Sequence, residues 1–389
     1  MNLELLTLKS QRNLHAPIHK LPTELLIYIF RLSLPAPETG PSYIQVLGTL
    51  FSVCTHWATM INAATSLWAV VTTMCGPSVL ESSLAKLDSN CPLHIDCASS
   101  SDEEFTHLLR KISPHIHRWE TADIVMPQTE EGSRYLSVPA PRLRRLHLQA
   151  PRGTAANEVN SRALDIFNGS ADRLEEVKVT WTCLPWDSPI LQGLKSLNLH
   201  CCGSIRVSSF IAILKNCPDL ATLVICGVDI VEDMEADPSK AVSMTRLANI
   251  EVAVEDLEGI GEVMSGFNAP NCKSFKFEYG TLELGGIEDF ILNTLSPHFP
   301  LFRRAMFEHP KAVINISNRR VFHIQCPLET HEEEQSVGFN LYFSEAPPDI
   351  AMAFLRQVLE EGGDGSCKPD VRLIIGRDWG TEGISILDE

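Results

Sequence analysis

The sequence predicts an α/β chain: a small N-terminal helical module, then a long array with parallel strands on one face and helices on the other. Three observations predict it. A six-residue pattern, apolar at its first, fourth and last positions, recurs at spacings of 20 to 31 residues. Amphipathic helical stretches lie between the copies. Residues 18–73 precede the array with short apolar helices that do not share its pattern.

Charge narrows the function classes. A formal net charge of −17 over 389 residues argues against non-specific binding to nucleic acid or anionic membrane, where a basic surface supplies most of the affinity. The start, MNLELLTLKSQRN, has no basic stretch leading into a long apolar run, so no secretory leader is expected. The weakly polar stretch 61–75 is broken by Asn62, Thr65 and Ser66 and is too short to span a bilayer. Cytosol or nucleus is the expected compartment. Twelve cysteines without a C-x-x-C pair read as small buried hydrophobes in a reducing compartment.

The helical module is expected over 15–73. Pro22 takes the place of a first-turn proline, whose missing N–H would be unpaired anyway, and Glu24 puts a carboxylate in the same turn. Leu25, Leu26, Ile29 and Phe30 form one apolar face, with Leu21 at its entry. Pro35, Pro37, Gly40 and Pro41 end this helix and make a loop. A second helix is expected from about Tyr43 to Ala63 on the stripe Leu47, Leu50, Phe51, Cys54, Trp57, Ala58 and Ile61. A short third element follows at 65–67, then the extended exit Trp68-Ala69-Val70-Val71. About 50 residues in two and a half helices support little core of their own. Their apolar surface belongs either against a partner or against the array that follows.

LPTELLIYIF, then VCTHW, then Leu67-Trp68 resembles the F-box motif in the form common in fungi, over residues 18–73. The resemblance implies docking on the Skp-type adaptor of an SCF (cullin–RING) ubiquitin ligase. It places Leu21, Pro22, Leu25, Leu26 and Ile29 at that contact, joined by Val53 and Cys54 of the second helix. Phe30, Trp57 and Trp68 would hold the module together. Two departures stand out: the long, proline-rich segment 33–42, and Ser66 where a proline often precedes the Leu-Trp pair.

The array is expected over 79–389. Its copies are Leu143-x-x-Leu146-x-Leu148, Leu174-x-x-Val177-x-Val179, Leu194-x-x-Leu197-x-Leu199, Leu220-x-x-Leu223-x-Ile225, Leu247-x-x-Ile250-x-Val252 and Cys272-x-x-Phe275-x-Phe277. This is the leucine-rich-repeat template, with its period of about 20 to 29 residues. Cys202 lands on its Asn/Cys position. Helical stretches are expected at 79–87, at Phe105 to Ile112 behind Ser101-x-x-Glu104, and around Phe210, Leu257 and Ile287. The expected fold is therefore a leucine-rich-repeat-like solenoid, strands on its concave face and helices on its convex face, with irregular rungs from about 300, the alternative there being a separate small domain. There, strands at 313–316, 321–324, 338–343 and 371–375 and a helix at 350–359 are expected.

Side chains alternate along a strand. If Leu146 and Leu148 point inward, Arg145, His147 and Gln149 face outward, followed along the array by Glu176, Lys178 and Thr180, then Ser196, Asn198 and His200. Thr222, Val224 and Cys226, then Asn249, Glu251 and Ala253, and finally Ser274, Lys276 and Glu278 complete the set. Arg145 would oppose Glu176 across one ladder step. As a set these positions are the expected surface for a protein substrate.

Catalytic signatures are missing. There is no G-x-S-x-G, G-x-x-x-x-G-K-[ST] or G-x-G-x-x-G, and His331-Glu332-Glu333-Glu334-Gln335 lacks the second histidine of a zinc-protease helix. His200-Cys201-Cys202 has no second ligand pair nearby. No enzyme, metal or cofactor is expected. With no catalytic motif found, the F-box resemblance implies a non-catalytic substrate receptor; the alternative is a leucine-rich-repeat scaffold acting independently of ubiquitin.

Overall fold

The computed structural model describes residues 13, 16–37, 39–73, 77–97, 102–127, 129–150, 166–233, 241–254, 259–279, 292, 295, 298, 312–316, 322–327, 337–343, 348–360 and 371–375. The chain is α/β and divides into two compact units, 1–154 with 164–174, and 155–163 with 175–389. The module boundary expected between 73 and 79 falls inside the first unit.

The first unit opens with a 3-10 turn, Pro17–Lys20, followed by helices α1 (Thr23–Ser33), α2 (Gly40–Ser52) and α3 (Thr55–Ala63). Pro22 lies one residue ahead of α1, its carbonyl accepting the Leu26 N–H at 3.1 Å. The single second helix expected at 43–63 is two helices. Cys54 is extended (φ −162°, ψ 166°), and its sulfur accepts the Trp57 N–H at 3.5 Å to cap α3. The apolar stripe runs across this break because both helices feed one core, so periodicity could not show it. Gly40 and Pro41, expected in the loop, instead begin α2, the proline fitting its first turn.

Strands β1 (Val70–Thr72), β2 (Leu93–Asp96), β3 (Trp119–Val125) and β4 (Arg145–Gln149) pair in parallel in that order. Helices α4 (Pro77–Lys86), α5 (Asp102–Ile112) and α6 (Glu130–Leu136) connect them. Ser101, the expected cap of α5, lies outside the described residues. Val71, Ile95, Ala122 and Leu146 form a buried row across the sheet.

The opposite side of β1 is buried too. Val70 joins the module core of Leu26, Phe30, Tyr43, Leu47, Met60, Ile61, Ala64 and Leu67. Gly40 shows how closely α2 approaches: a Cβ there would stand 2.5 Å from Asp96 Cβ and 2.7 Å from Thr72 Cγ2. The module thus buries one side of itself on the first two strands. Trp68 Nε1–H donates to the Ile61 carbonyl at 2.9 Å, and the Phe30 and Trp57 ring centroids are 4.8 Å apart.

In the second unit, β5 (Glu176–Thr180), β6 (Ser196–His200), β8 (Thr222–Cys226), β11 (Asn249–Val254) and β13 (Ser274–Tyr279) are adjacent parallel strands. All six quoted copies of the repeat thus form strands. Between them lie β7 (Ser204–Arg206) paired with β9 (Asp229–Val231), and β10 (Val242–Ser243) paired with β12 (Phe267–Asn268). Helices α7 (Val207–Asn216) and α8 (Ile260–Ser265) lie where helices are expected, whereas Leu257 and the stretch around Ile287 fall outside the described residues. The 20-residue step from β5 to β6 holds a 3-10 turn, Pro189–Leu191, in place of a helix.

Two rows, Val177, Leu197, Leu223, Ile250, Phe275 and Val179, Leu199, Ile225, Val252, Phe277, are each at most 1% exposed. Cys202 is buried, its thiol donating to the Val179 carbonyl at 3.3 Å; Cys217 donates to Leu191 at 3.1 Å. Burial pushes both thiols up from their ordinary range.

The last described strands continue the sheet, and among them β15 alone runs against its direction. β16 (Val337–Phe343) is parallel to β13, β15 (Phe322–Pro327) is antiparallel to β16 and to β14 (Ala312–Ile316), and β17 (Val371–Ile375) is parallel to β14. Helix α9 spans Pro348–Glu360.

Candidate functional site

Two surfaces stand out, one in each unit. The first is on α1. Leu25, Tyr28, Ile29 and Leu32 are 51%, 57%, 37% and 70% exposed, and their spacing puts them on one stripe of the helix. Pro22 is exposed and Leu21 partly so, while Val53, at the end of α2, is 54% exposed with Cys54 partly buried beside it.

Leu26 departs from the expected contact set. It is wholly buried with Phe30, because a turn of about 100° per residue carries it off the Leu25 stripe and onto the core side. Tyr28 and Leu32 were missed. Their signal was present, three and seven residues after Leu25, but reading one apolar face on α1 hid a second. Ser66, in place of the proline, accepts a hydrogen bond from Arg31 Nη2 at 2.6 Å. Next to Val53, Cys54 Sγ lies 3.7 Å from His19 Nε2, and the His19 and His56 rings meet edge to face at 5.0 Å.

The second surface is the outward face of the strands. The expected alternation holds at every strand of the repeat: Arg145, Glu176, Lys178 and Asn249 are exposed, while His147, Asn198, His200, Val224, Glu251 and Lys276 are half-buried between fully buried neighbours. Arg145 and Glu176, expected as ladder partners, belong to different units.

In the first unit, Asp123 organises this face. Its carboxylate accepts from Gln149 Nε2 at 3.3 Å and meets His147 Nδ1 at 2.9 Å. Sequence reading missed Asp123 because its strand carries Trp119, Ala122 and Ile124 where the template wants leucines.

In the second unit, Lys276 Nζ stands 2.9 Å from Glu251 and 3.3 Å from Glu278. The hydrogen bond to Glu251, more than the wider field of both carboxylates, pushes the lysine up from its ordinary value. Cys226, half-buried on the same face, is pushed up to about 11 by burial. It is a poor nucleophile, since the thiolate is the reactive form.

Three of these strands, β5, β6 and β8, leave through the same bend. Trp181, Cys201 and Gly227 follow β5, β6 and β8 with φ of 57°, 51° and 59°. Their N–H groups donate to the carbonyls of His200, Cys226 and Ala253 at 2.9, 2.7 and 2.8 Å. The left-handed region is free for glycine and costs an L-residue about 1–2 kcal/mol. Trp181 bears that cost with its indole 54% exposed.

Among the described residues no group of three His, Cys, Asp or Glu side chains is placed to hold a metal ion, and no helix is long and apolar enough to cross a membrane. The sequence matches no protein-family profile and no curated protein.

Proposed function

We propose that this chain is the non-catalytic substrate receptor of an SCF-type (cullin–RING) ubiquitin ligase. Its F-box-like helices dock on a Skp-type adaptor, and its leucine-rich-repeat-like array holds a protein substrate. One observation carries the proposal: the stripe Leu25, Tyr28, Ile29 and Leu32 is left bare by the chain, on the helix whose sequence resembles the F-box. Exposed apolar patches of this kind mark protein contacts. Leu21, Pro22 and Val53 border it. Ubiquitin chemistry then belongs to other subunits, and this chain supplies proximity, raising the effective concentration of a substrate lysine.

A second reading, a repeat scaffold working without ubiquitin, draws support from the burial of Val70 and Thr72 beneath the module, since the helices also cap the array. Co-purification with a recombinant Skp-type adaptor separates the two. The receptor reading expects a stable complex that Leu25→Asp with Ile29→Asp abolishes while the circular dichroism spectrum stays unchanged. Failure of the unmutated chain to form the complex selects the scaffold.

A further inference from the structure

Charge is unevenly distributed on the outward face of the second unit. On β5, Glu176 and Lys178 are exposed, and neither takes part in an ion pair among the described residues. The next two strands, β6 and β8, present Ser196, Asn198, His200, Thr222, Val224 and Cys226, a strip without formal charge when the histidine is neutral. On β11 and β13 one cation, Lys276, is shared by two carboxylates, Glu251 and Glu278, leaving one negative charge in excess. Lys178 and that excess are three to four strand steps apart, about 14–19 Å, which four to six residues of extended chain would span.

Trp181 stands at the β5 end of this strip, one residue beyond Thr180. Gly227 fills the equivalent bend after β8 at no conformational cost. A large, strained and mostly wet indole in such a bend is unexplained by the chain's own packing, and aromatic side chains of this kind anchor protein interfaces.

We propose that this face takes an extended protein segment laid across the strands. Its carboxylate meets Lys178, an apolar neighbour lies against Trp181, small uncharged residues cross β6 and β8, and a basic residue meets Glu251 and Glu278. The proposal deepens the receptor reading by naming the kind of segment the array holds, and it rests on the array being the recognition surface. It does not depend on adaptor docking, so the two fail separately.

The test titrates labelled synthetic peptides against the full chain by fluorescence anisotropy. The reference is acetyl-Leu-Asp-Ala-Ser-Ala-Ser-Lys-amide, and its isomer carries Asp and Lys side by side. The reference should bind about fivefold more tightly than the isomer, the size expected of one exposed ion pair. Lys178→Glu should weaken the reference about fivefold and strengthen a peptide with Lys in place of Asp. Trp181→Gly should weaken the reference about tenfold without lowering Tm, since glycine suits the bend. A Trp181 of merely structural role would instead lower Tm and leave binding alone. Equal binding of the two isomers, indifference to Lys178→Glu, or no binding up to millimolar peptide would each overturn the proposal.

Discussion

Helix α1 and the strands of the second unit are both rich in leucine and isoleucine, yet they dispose of them differently. Along β5 to β13 every apolar residue of the two inward rows is sealed, and the residues between them are almost all polar. On α1, Leu26 and Phe30 are sealed while Leu25, Tyr28, Ile29 and Leu32 stay in water. A strand has two faces and the array needs only one for its core. The helix carries more apolar surface than its own core uses, so the excess has no folding role. The contrast between what stabilises and what is merely presented can be tested directly.

The largest effects belong to the sealed positions. Phe277→Ala should destabilise by about 3–5 kcal/mol and Leu26→Ala by about 2–5 kcal/mol in urea unfolding, whereas Leu25→Ala should stay within about 0.5 kcal/mol. Equal losses at Leu25 and Leu26 would mean that the stripe is covered after all. Next comes Gly40→Ala, whose Cβ would force α2 away from Asp96 and Thr72. A loss of about 1–3 kcal/mol is expected, and an unchanged Tm would show that α2 does not press on β1 and β2.

A smaller, pH-dependent effect is expected at His298. It is buried, its Nε2–H donates to the Met264 carbonyl at 2.9 Å, and its ring lies beside Phe267 and Phe275. Burial lowers its proton affinity in the folded chain. The unfolded chain therefore binds the extra proton, and stability should fall as pH drops below about 6.5, at no more than about 1.4 kcal/mol per pH unit. His298→Gln should remove that part of the slope. The smallest effect is at Lys276→Ala, about 0.2–1 kcal/mol, because this pair is partly in water; it should shrink with added salt.

The array was legible because its inward residues repeat with period two inside a longer period of fixed template. Leu146 and Leu148 predicted the outward positions of Arg145 and His147 without any knowledge of the fold. Asp123 escaped because Trp119 and Ala122 stand at the template's leucine positions, although their strand forms all the same. The module was legible in composition but not in detail. Apolar spacing cannot see the break at Cys54, whose sulfur stops one helix and starts the next, nor tell Leu25 from Leu26, since adjacent residues fall on different sides of a helix. The bend at Trp181 left no trace in the sequence either, since tryptophan is not a residue that announces a left-handed backbone.

Strand Val70–Thr72 has an awkward double allegiance. Its inward residue, Val71, completes the array's first buried row, and its outward pair lies under the helices. Head and body are thus stitched through three residues that neither can give up. A graft of these helices onto another array would have to carry the seam with them, together with a residue as small as Gly40 where the two meet. Removing the residues up to Thr73 would take β1 away and leave β2 as a raw edge, inviting strand-to-strand association.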